Sequence, residues 1–139
     1  RAFRRPVTEQ EVAKFVAFFR RADQPGESFP AAMLAPFKAV LVSPHFLFRV
    51  EANPAADKTE RELNDYELAT RLSYFLWNSM PDDELFRHAV RETLRKDNNL
   101  DEQVRRMLRD PKAKALVDSF AAQWLQLRKF EWFIARPTN

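Results

Sequence analysis

The sequence predicts an all-α, bundle-like domain of five to six helices, and three observations carry that expectation. Among 139 residues there is a single glycine, Gly26, where an average chain of this length would hold roughly ten. Tight hairpins, phosphate loops and nucleophile elbows need positive φ or close backbone approach, so a chain with one glycine has few places to build them. Nine prolines remain, several of them where a helix would begin and where the ring is already in helical geometry. Apolar residues then recur at three- and four-residue steps, the period of one helix face.

Each element has its own start signal. Thr8 with Glu11 forms a capping box, followed by Val12, Phe15, Val16 and Phe19 on one face and closed by Arg20-Arg21 before Gln24-Pro25-Gly26. The second helix opens near Pro30 and carries Met33, Leu34, Phe37, Val40 and Leu41. Pro36 inside it removes one intrahelical hydrogen bond and predicts a kink. Ser43-Pro44 stops it, and His45-Phe46-Leu47-Phe48 follows as a short apolar run. Asn64 as N-cap with Glu67 opens the third helix, whose Leu68, Ala69, Leu72, Tyr74, Phe75, Leu76 and Trp77 leave little polar girth, so it belongs at the centre. Pro81 at the first position, with Asp82, Asp83 and Glu84 in the first turn, starts the fourth, with Leu85, Phe86, Ala89 and Val90 inward. Asn99 with Glu102 opens the fifth, carrying Leu100, Val104, Met107 and Leu108. Asp110-Pro111 opens the sixth, where Ala113, Leu116, Val117, Phe120, Ala121, Trp124 and Leu127 make the longest amphipathic stripe. The third and sixth helices are expected to form the core, with Trp77, Phe120 and Trp124 buried in it. Thr8 and Asn64 serve as structural caps.

These elements divide into a two-helix subdomain at 1–50, a polar linker at 51–62, a four-helix core at 63–130 and a tail at 131–139 holding Trp132, Phe133 and Ile134. Charge follows the same division. Residues 1–50 hold eight Lys/Arg against four Asp/Glu, 51–100 seven against eleven, and 101–139 eight against five. The net charge of +3 is too small for a dedicated nucleic-acid binder, which concentrates basic charge on one face. No apolar run reaches the ~18–20 residues that span a bilayer, and the opening Arg1-Ala2-Phe3-Arg4-Arg5-Pro6 reads as the middle of a longer protein. Zero Cys excludes thiol catalysis, thiolate metal sites and covalent haem attachment within this chain.

Ala2-Phe3-Arg4-Arg5-Pro6, Thr8-Glu9-Gln10-Glu11 and Leu41-Val42-Ser43-Pro44-His45-Phe46-Leu47-Phe48-Arg49 resemble a planctomycete-type helical domain family of unknown function. The stretch from Leu63 to Trp77, with the specific phrase Arg71-Leu72-Ser73-Tyr74-Phe75-Leu76-Trp77, resembles the family that usually follows it. Met80-Pro81-Asp82-Asp83-Glu84-Leu85, Gln103-Val104-Arg105-Arg106-Met107-Leu108 and Phe120-Ala121-Ala122-Gln123-Trp124-Leu125 continue that second match. The resemblance spans about residues 2–130. It implies a part of a large exported protein, at the periplasm or cell surface, that also carries c-type cytochrome domains. By that resemblance haem c belongs to neighbouring domains, and the partners are the adjoining cytochrome c-type domains of the same polypeptide. Neither family brings a catalytic residue to these positions.

Residue types that bear chemistry are few, and each has a structural explanation. Glu84 and His88, four apart on a helix, can share a face as metal ligands, yet two ligands are too few for a structural site and Glu84 is explained by the helix dipole. His45, after a Ser-Pro turn, has the place of a distal haem ligand for a neighbouring module or of a turn residue with a satisfied ring. Ser43 with His45 lacks the third group that a nucleophile and base need. Asp82, Asp83 and Glu84, and Asp65 with Glu67, offer paired carboxylates for work on a polymeric substrate at a cleft between the halves, but both clusters sit at helix starts. Arg105, Arg106, Arg109, Lys112 and Lys114 make a basic turn at 105–114 that suits nucleic acid or an acidic partner, diluted by Asp101, Glu102 and Asp110. Arg71, in the most apolar helix, is expected in a buried ion pair with Asp82, Asp83 or Glu67. Tyr74, Phe75, Trp77 and Trp124 are read as core rather than as a cofactor-stacking surface. The leading expectation is a non-catalytic structural and interaction domain, with no catalytic, cofactor or metal residues of its own.

Overall fold

The computed structural model describes residues 1–54, 59–121 and 124, and the protein is all-α, with no strand among the described residues. It divides into two compact units, the first ending at Arg61 and the second beginning at Glu62.

In the first unit α1 (Glu9–Ala22) packs against α2 (Phe29–Leu41), and a single-turn α3 (Pro44–Leu47) follows. The capping box of α1 is complete, since Thr8 accepts from the Glu11 N–H and the Glu11 carboxylate accepts from the Thr8 N–H. Ser28 caps α2, so the helix starts at Phe29 and Pro30 stands second. The helix runs on through Pro36, which leaves the Ala32 carbonyl without its usual backbone donor. Aromatic packing ties the pieces together: Phe19 lies 5.7 Å from Phe29, and buried Phe3 lies 5.9 Å from Phe15 and 5.5 Å from the His45 ring. The face of α2 that turns inward differs from the expected one. Ala32 and Pro36 are buried, while Leu34, Phe37 and Leu41 are exposed, because small residues let the helix axes approach and the large ones stand outside.

In the second unit α4 (Asp65–Trp77), α5 (Asp83–Arg91) and α6 (Asn99–Arg109) surround one core of Ala69, Leu76, Trp77, Leu85, Ala89, Leu94 and Met107. Tyr66, Leu68, Leu72 and Leu100 pack against it. The Asn64–Glu67 capping box opens α4. Asp82, not Pro81, stands at the head of α5 as its N-cap, so Pro81 precedes the helix. Asn98 occupies the cap position of α6 without a side-chain bond, while Asn99 donates to the Thr93 carbonyl; the expected Asn99–Glu102 box does not form. Val90 and Leu108 face outward.

Beyond α6 the expected sixth helix breaks into a 3₁₀ turn (Pro111–Ala113) and a π-helical segment (Leu116–Ala121). A π turn winds with i→i+5 bonds and shifts the phase of a 3.6-residue stripe. Ala113 and Leu116 still reach the core, but Phe120 is half exposed and Trp124 is 72% exposed. Neither ring is therefore core. Phe120 stacks on Trp124 and meets Phe75 edge-on, and Phe75 is itself 55% exposed, so α4 is not enclosed on that side. Leu127 and the 131–139 tail lie outside the described residues, as do 55–58 of the linker.

With one glycine available, the left-handed corners are taken by other residues: Arg4, Asn78, Glu92 and Asp97 all have φ near +50°, alongside Gly26 at 96°. Asn78 ends α4. Glu92 ends α5 in a Schellman arrangement, its N–H on the Ala89 carbonyl and the Thr93 N–H on the His88 carbonyl.

Candidate functional site

In the second unit the acids at the head of α5 meet α6. Asp82 accepts from the Leu85 N–H at 3.0 Å and holds Arg106 through both oxygens, at 2.7 and 3.2 Å. Burial raises the Asp82 pKa, but Arg106, the Leu85 N–H and Lys112 together lower it more, so the carboxyl sits below its ordinary value. The Arg106 guanidinium also lies 5.5 Å from the centre of the Trp77 ring, and the Lys112 ammonium 4.6 Å. The Trp77 indole N–H donates to the Met107 carbonyl at 2.9 Å, so a buried ring is fixed at its edge and covered by two cations.

Two residues after Asp82, Glu84 accepts from Gln103 of α6 at 2.8 Å, while the Gln103 carbonyl oxygen accepts from Arg106, also at 2.8 Å. Gln103 Nε2 lies 3.5 Å from His88 Nε2, and His88 Nδ1 lies 3.0 Å from the Thr93 hydroxyl. The chain of contacts Asp82–Arg106–Gln103–Glu84, extended by His88 and Thr93, borders an open cleft of about 330 Å³ lined by Glu84, Arg87, His88, Arg91, Thr93 and Asn99. Glu84 and His88 thus share a site, as their spacing suggested, but the partners of Glu84 are an amide and a guanidinium. No group of three or more metal-ligating residues occurs among the described residues. The other carboxylate cluster is equally engaged: Asp65 accepts from the Leu94 N–H and from Arg95, both at 2.9 Å, and Glu67 closes the cap of α4.

One site expectation needs correction, and two weaker alternatives find their side chains already in use. Arg71 is exposed, so it is not a buried charge, and the cation opposite Asp82 is Arg106. The carboxylates expected to converge on a substrate cleft are engaged within the second unit, Asp82 and Glu84 with α6 and Asp65 with the segment after α5. The basic turn at 105–114 does not present five open cations. Arg105 pairs with Asp101 at 2.7 Å, Lys114 with Asp118 at 2.7 Å, and Arg106 and Lys112 cover Trp77.

In the first unit the polar centre lies around Arg4. It is 8% exposed and donates to the carbonyls of His45, Phe46 and Phe48 at 2.8, 3.1 and 2.8 Å, the unsatisfied carbonyl end of α3 and the residues beside it. Arg5 grips Glu11 at 2.7 and 3.0 Å. That guanidinium and the Thr8 N–H hold the Glu11 carboxyl down at about 2. His45 Nε2 stands 3.8 Å from Glu11 with its ring on Phe3, the setting of a packed turn residue.

Residues 63–138, more than half of the chain, match the family described as PSD4: Protein of unknown function (DUF1592). The chain belongs to the PSD4 family. Ahead of it, residues 1–51 match PSD5: Protein of unknown function (DUF1595), and the two are the adjacent planctomycete-type pair that the motifs resembled. No curated protein matches the chain, and no solved structure matches it. The PSD4 portion holds the cleft and the Asp82–Arg106–Trp77 assembly, and the PSD5 portion holds the Arg4 clamp.

Sequence reasoning missed Arg4 and Gln103, and it placed Arg106 in the basic turn without its pairing to Asp82. Gln103 had a readable signal in the PSD4 portion: it interrupts the stripe Leu100, Val104, Met107 at an inward position, and a polar side chain there must find partners. Arg4 and Arg106 had none, since their partners lie 41–44 and 24 residues away.

Proposed function

We propose that this chain is a non-catalytic structural and interaction domain of a larger exported protein, standing beside c-type cytochrome domains of the same polypeptide. The observation that carries the non-catalytic part is the use already made of the chemistry-bearing side chains. Asp82, Glu84, Asp65 and Glu67 cap helices, bind α6 or fix the loop after α5, and His88 and Thr93 close the end of α5 on each other. A catalytic group must keep a face for substrate. The exported, cytochrome-associated setting is supported by the motif resemblance, and the interaction role by the apolar side chains both units leave outside. Among the described residues no helix is long and apolar enough to cross a membrane. The test is cross-linking and size-exclusion of the 139-residue chain with the haem modules adjoining it in the parent protein. Cross-links from exposed residues of either unit are expected, and their absence overturns the reading.

A second reading, a substrate-binding or catalytic domain for a polymer, is favoured by the open cleft around Glu84 and His88. It predicts that soluble oligosaccharides shift the NMR signals of Thr93 and Asn99, with loss of the shifts in His88→Ala. Unmoved signals across a panel of neutral and acidic oligosaccharides retire it.

A further inference from the structure

The outer face of α1 carries a groove of about 400 Å³ lined by Val7, Glu9, Val12, Ala13, Val16 and Arg20. Val7 and Val12 hold the two positions of a hydrophobic staple around the Thr8 cap, yet they remain 47% and 46% exposed, and Val16 40%. An apolar stripe on a helix that packs elsewhere through Phe15 and Phe19 is surplus to the fold. Its two ends are charged with opposite sign. Neither Glu9 nor Arg20 makes an ion pair or side-chain hydrogen bond among the described residues, whereas Arg5 and Glu11 beside them are fully engaged.

The spacing of these residues is palindromic. Glu9 and Arg20 lie three helical turns apart on one face, about 16 Å along the axis, and Ala13 and Val16 are placed symmetrically about the same midpoint. A second α1 laid antiparallel across that midpoint sets Glu9 of each copy against Arg20 of the other, and Ala13 of each against Val16 of the other, a small residue opposite a larger one. A parallel arrangement would oppose like charges. Such self-complementarity is what a two-fold, isologous contact requires.

We infer that this face of α1 is a self-association surface whose occupant is the antiparallel α1 of a second copy of this chain. A single-helix contact buries less than a standard interface, so the dimer is weak and reversible, and its orientation is set by the two Glu9–Arg20 pairs.

Sedimentation equilibrium of the 139-residue chain, from micromolar to millimolar concentration, tests it. Reversible monomer–dimer behaviour is expected. Glu9→Arg and Arg20→Glu, each turning two attractions into two repulsions, should dimerise about tenfold more weakly or worse. Mixing those two variants should restore wild-type association. In the mixed pair the two basic positions of the Glu9→Arg copy face the two acidic positions of the Arg20→Glu copy, so both attractions return, one as in the wild type and one with its signs exchanged. Val16→Lys, at an exposed position, should leave the helical circular dichroism intact and abolish the dimer. A wild-type chain that stays monomeric throughout, charge variants that associate like wild type, or a mixture no tighter than its components each overturns the inference. Occupation of the groove by an added haem module in a chain that never dimerises overturns it in the same way.

Discussion

Replacing Asp82 by Ala separates the two tasks of one carboxylate. Oδ1 caps α5 through the Leu85 N–H, and losing such a cap costs about 1 kcal/mol. Both oxygens hold Arg106, with the two side chains 25% and 30% exposed; at that exposure solvent screens the pair, leaving about 0.5–1 kcal/mol, towards the upper end because it is bidentate. Asp82→Ala should therefore lower the stability of the second unit by about 1.5–2 kcal/mol, the two contributions summed. Asn caps as well as Asp, so Asp82→Asn should lose only the charge, about 0.5–1 kcal/mol. Urea unfolding followed by circular dichroism at 222 nm measures both, with an unchanged slope showing that the same surface is exposed. The sign of the pH dependence is fixed as well. The Asp82 carboxyl is held below its ordinary 3.8, so its contribution is complete above that value and is lost as pH falls below it; Asp82→Asn should lack that acid-side loss. Equal effects of the two substitutions, or an Asp82→Ala cost under about 0.5 kcal/mol, would refute the division of labour.

Four further outcomes follow from the geometry. Glu92→Gly relieves a left-handed φ of 53° at the end of α5 and should raise stability by about 0.5–1 kcal/mol in the same denaturation assay. Arg4→Ala strands three carbonyls at and beside α3 and should cost about 2–3 kcal/mol, with amide hydrogen exchange accelerating first at Phe46, Leu47 and Phe48. NMR titration should find Glu11 titrating near 2 in place of 4.5, so α1 should lose support as pH falls from 4.5 towards 2; Arg5→Ala should move the titration back up. Trp77→Ala should cost about 3–5 kcal/mol as a buried ring, while Trp124→Ala, on a ring 72% exposed, should change the unfolding free energy by no more than about 0.5 kcal/mol.

What the sequence disclosed was decided within a few residues. The Thr8–Glu11 and Asn64–Glu67 boxes are complete because cap and partner lie on one turn, and the buried Leu85 and Ala89 follow from spacing on a short helix. Errors entered where a longer range ruled. Pro81 looked like a first helical residue until Asp82, drawn to Arg106 and Leu85, took the cap. The stripe from Ala113 to Leu127 assumed one winding, and a change to π geometry at Leu116 turned Phe120 and Trp124 outward. Arg71 was placed by the apolarity of its neighbours in sequence, although its own position on α4 faces solvent. For the site, Glu84 and His88 were legible as neighbours, whereas the role of Asp82 as a bridge to α6 depended on Arg106, and no local pattern marks that pairing.

Trp77 belongs to α4, its edge is bonded to the main chain of α6, and its face is covered by Arg106 and by Lys112 of the 3₁₀ turn. Movement of any one of these three elements uncovers part of the indole, and separating α4 from α6 also breaks its bond to the Met107 carbonyl. Breathing of the second unit is thereby made collective: protons deep in α4 and α6 should exchange through one shared opening.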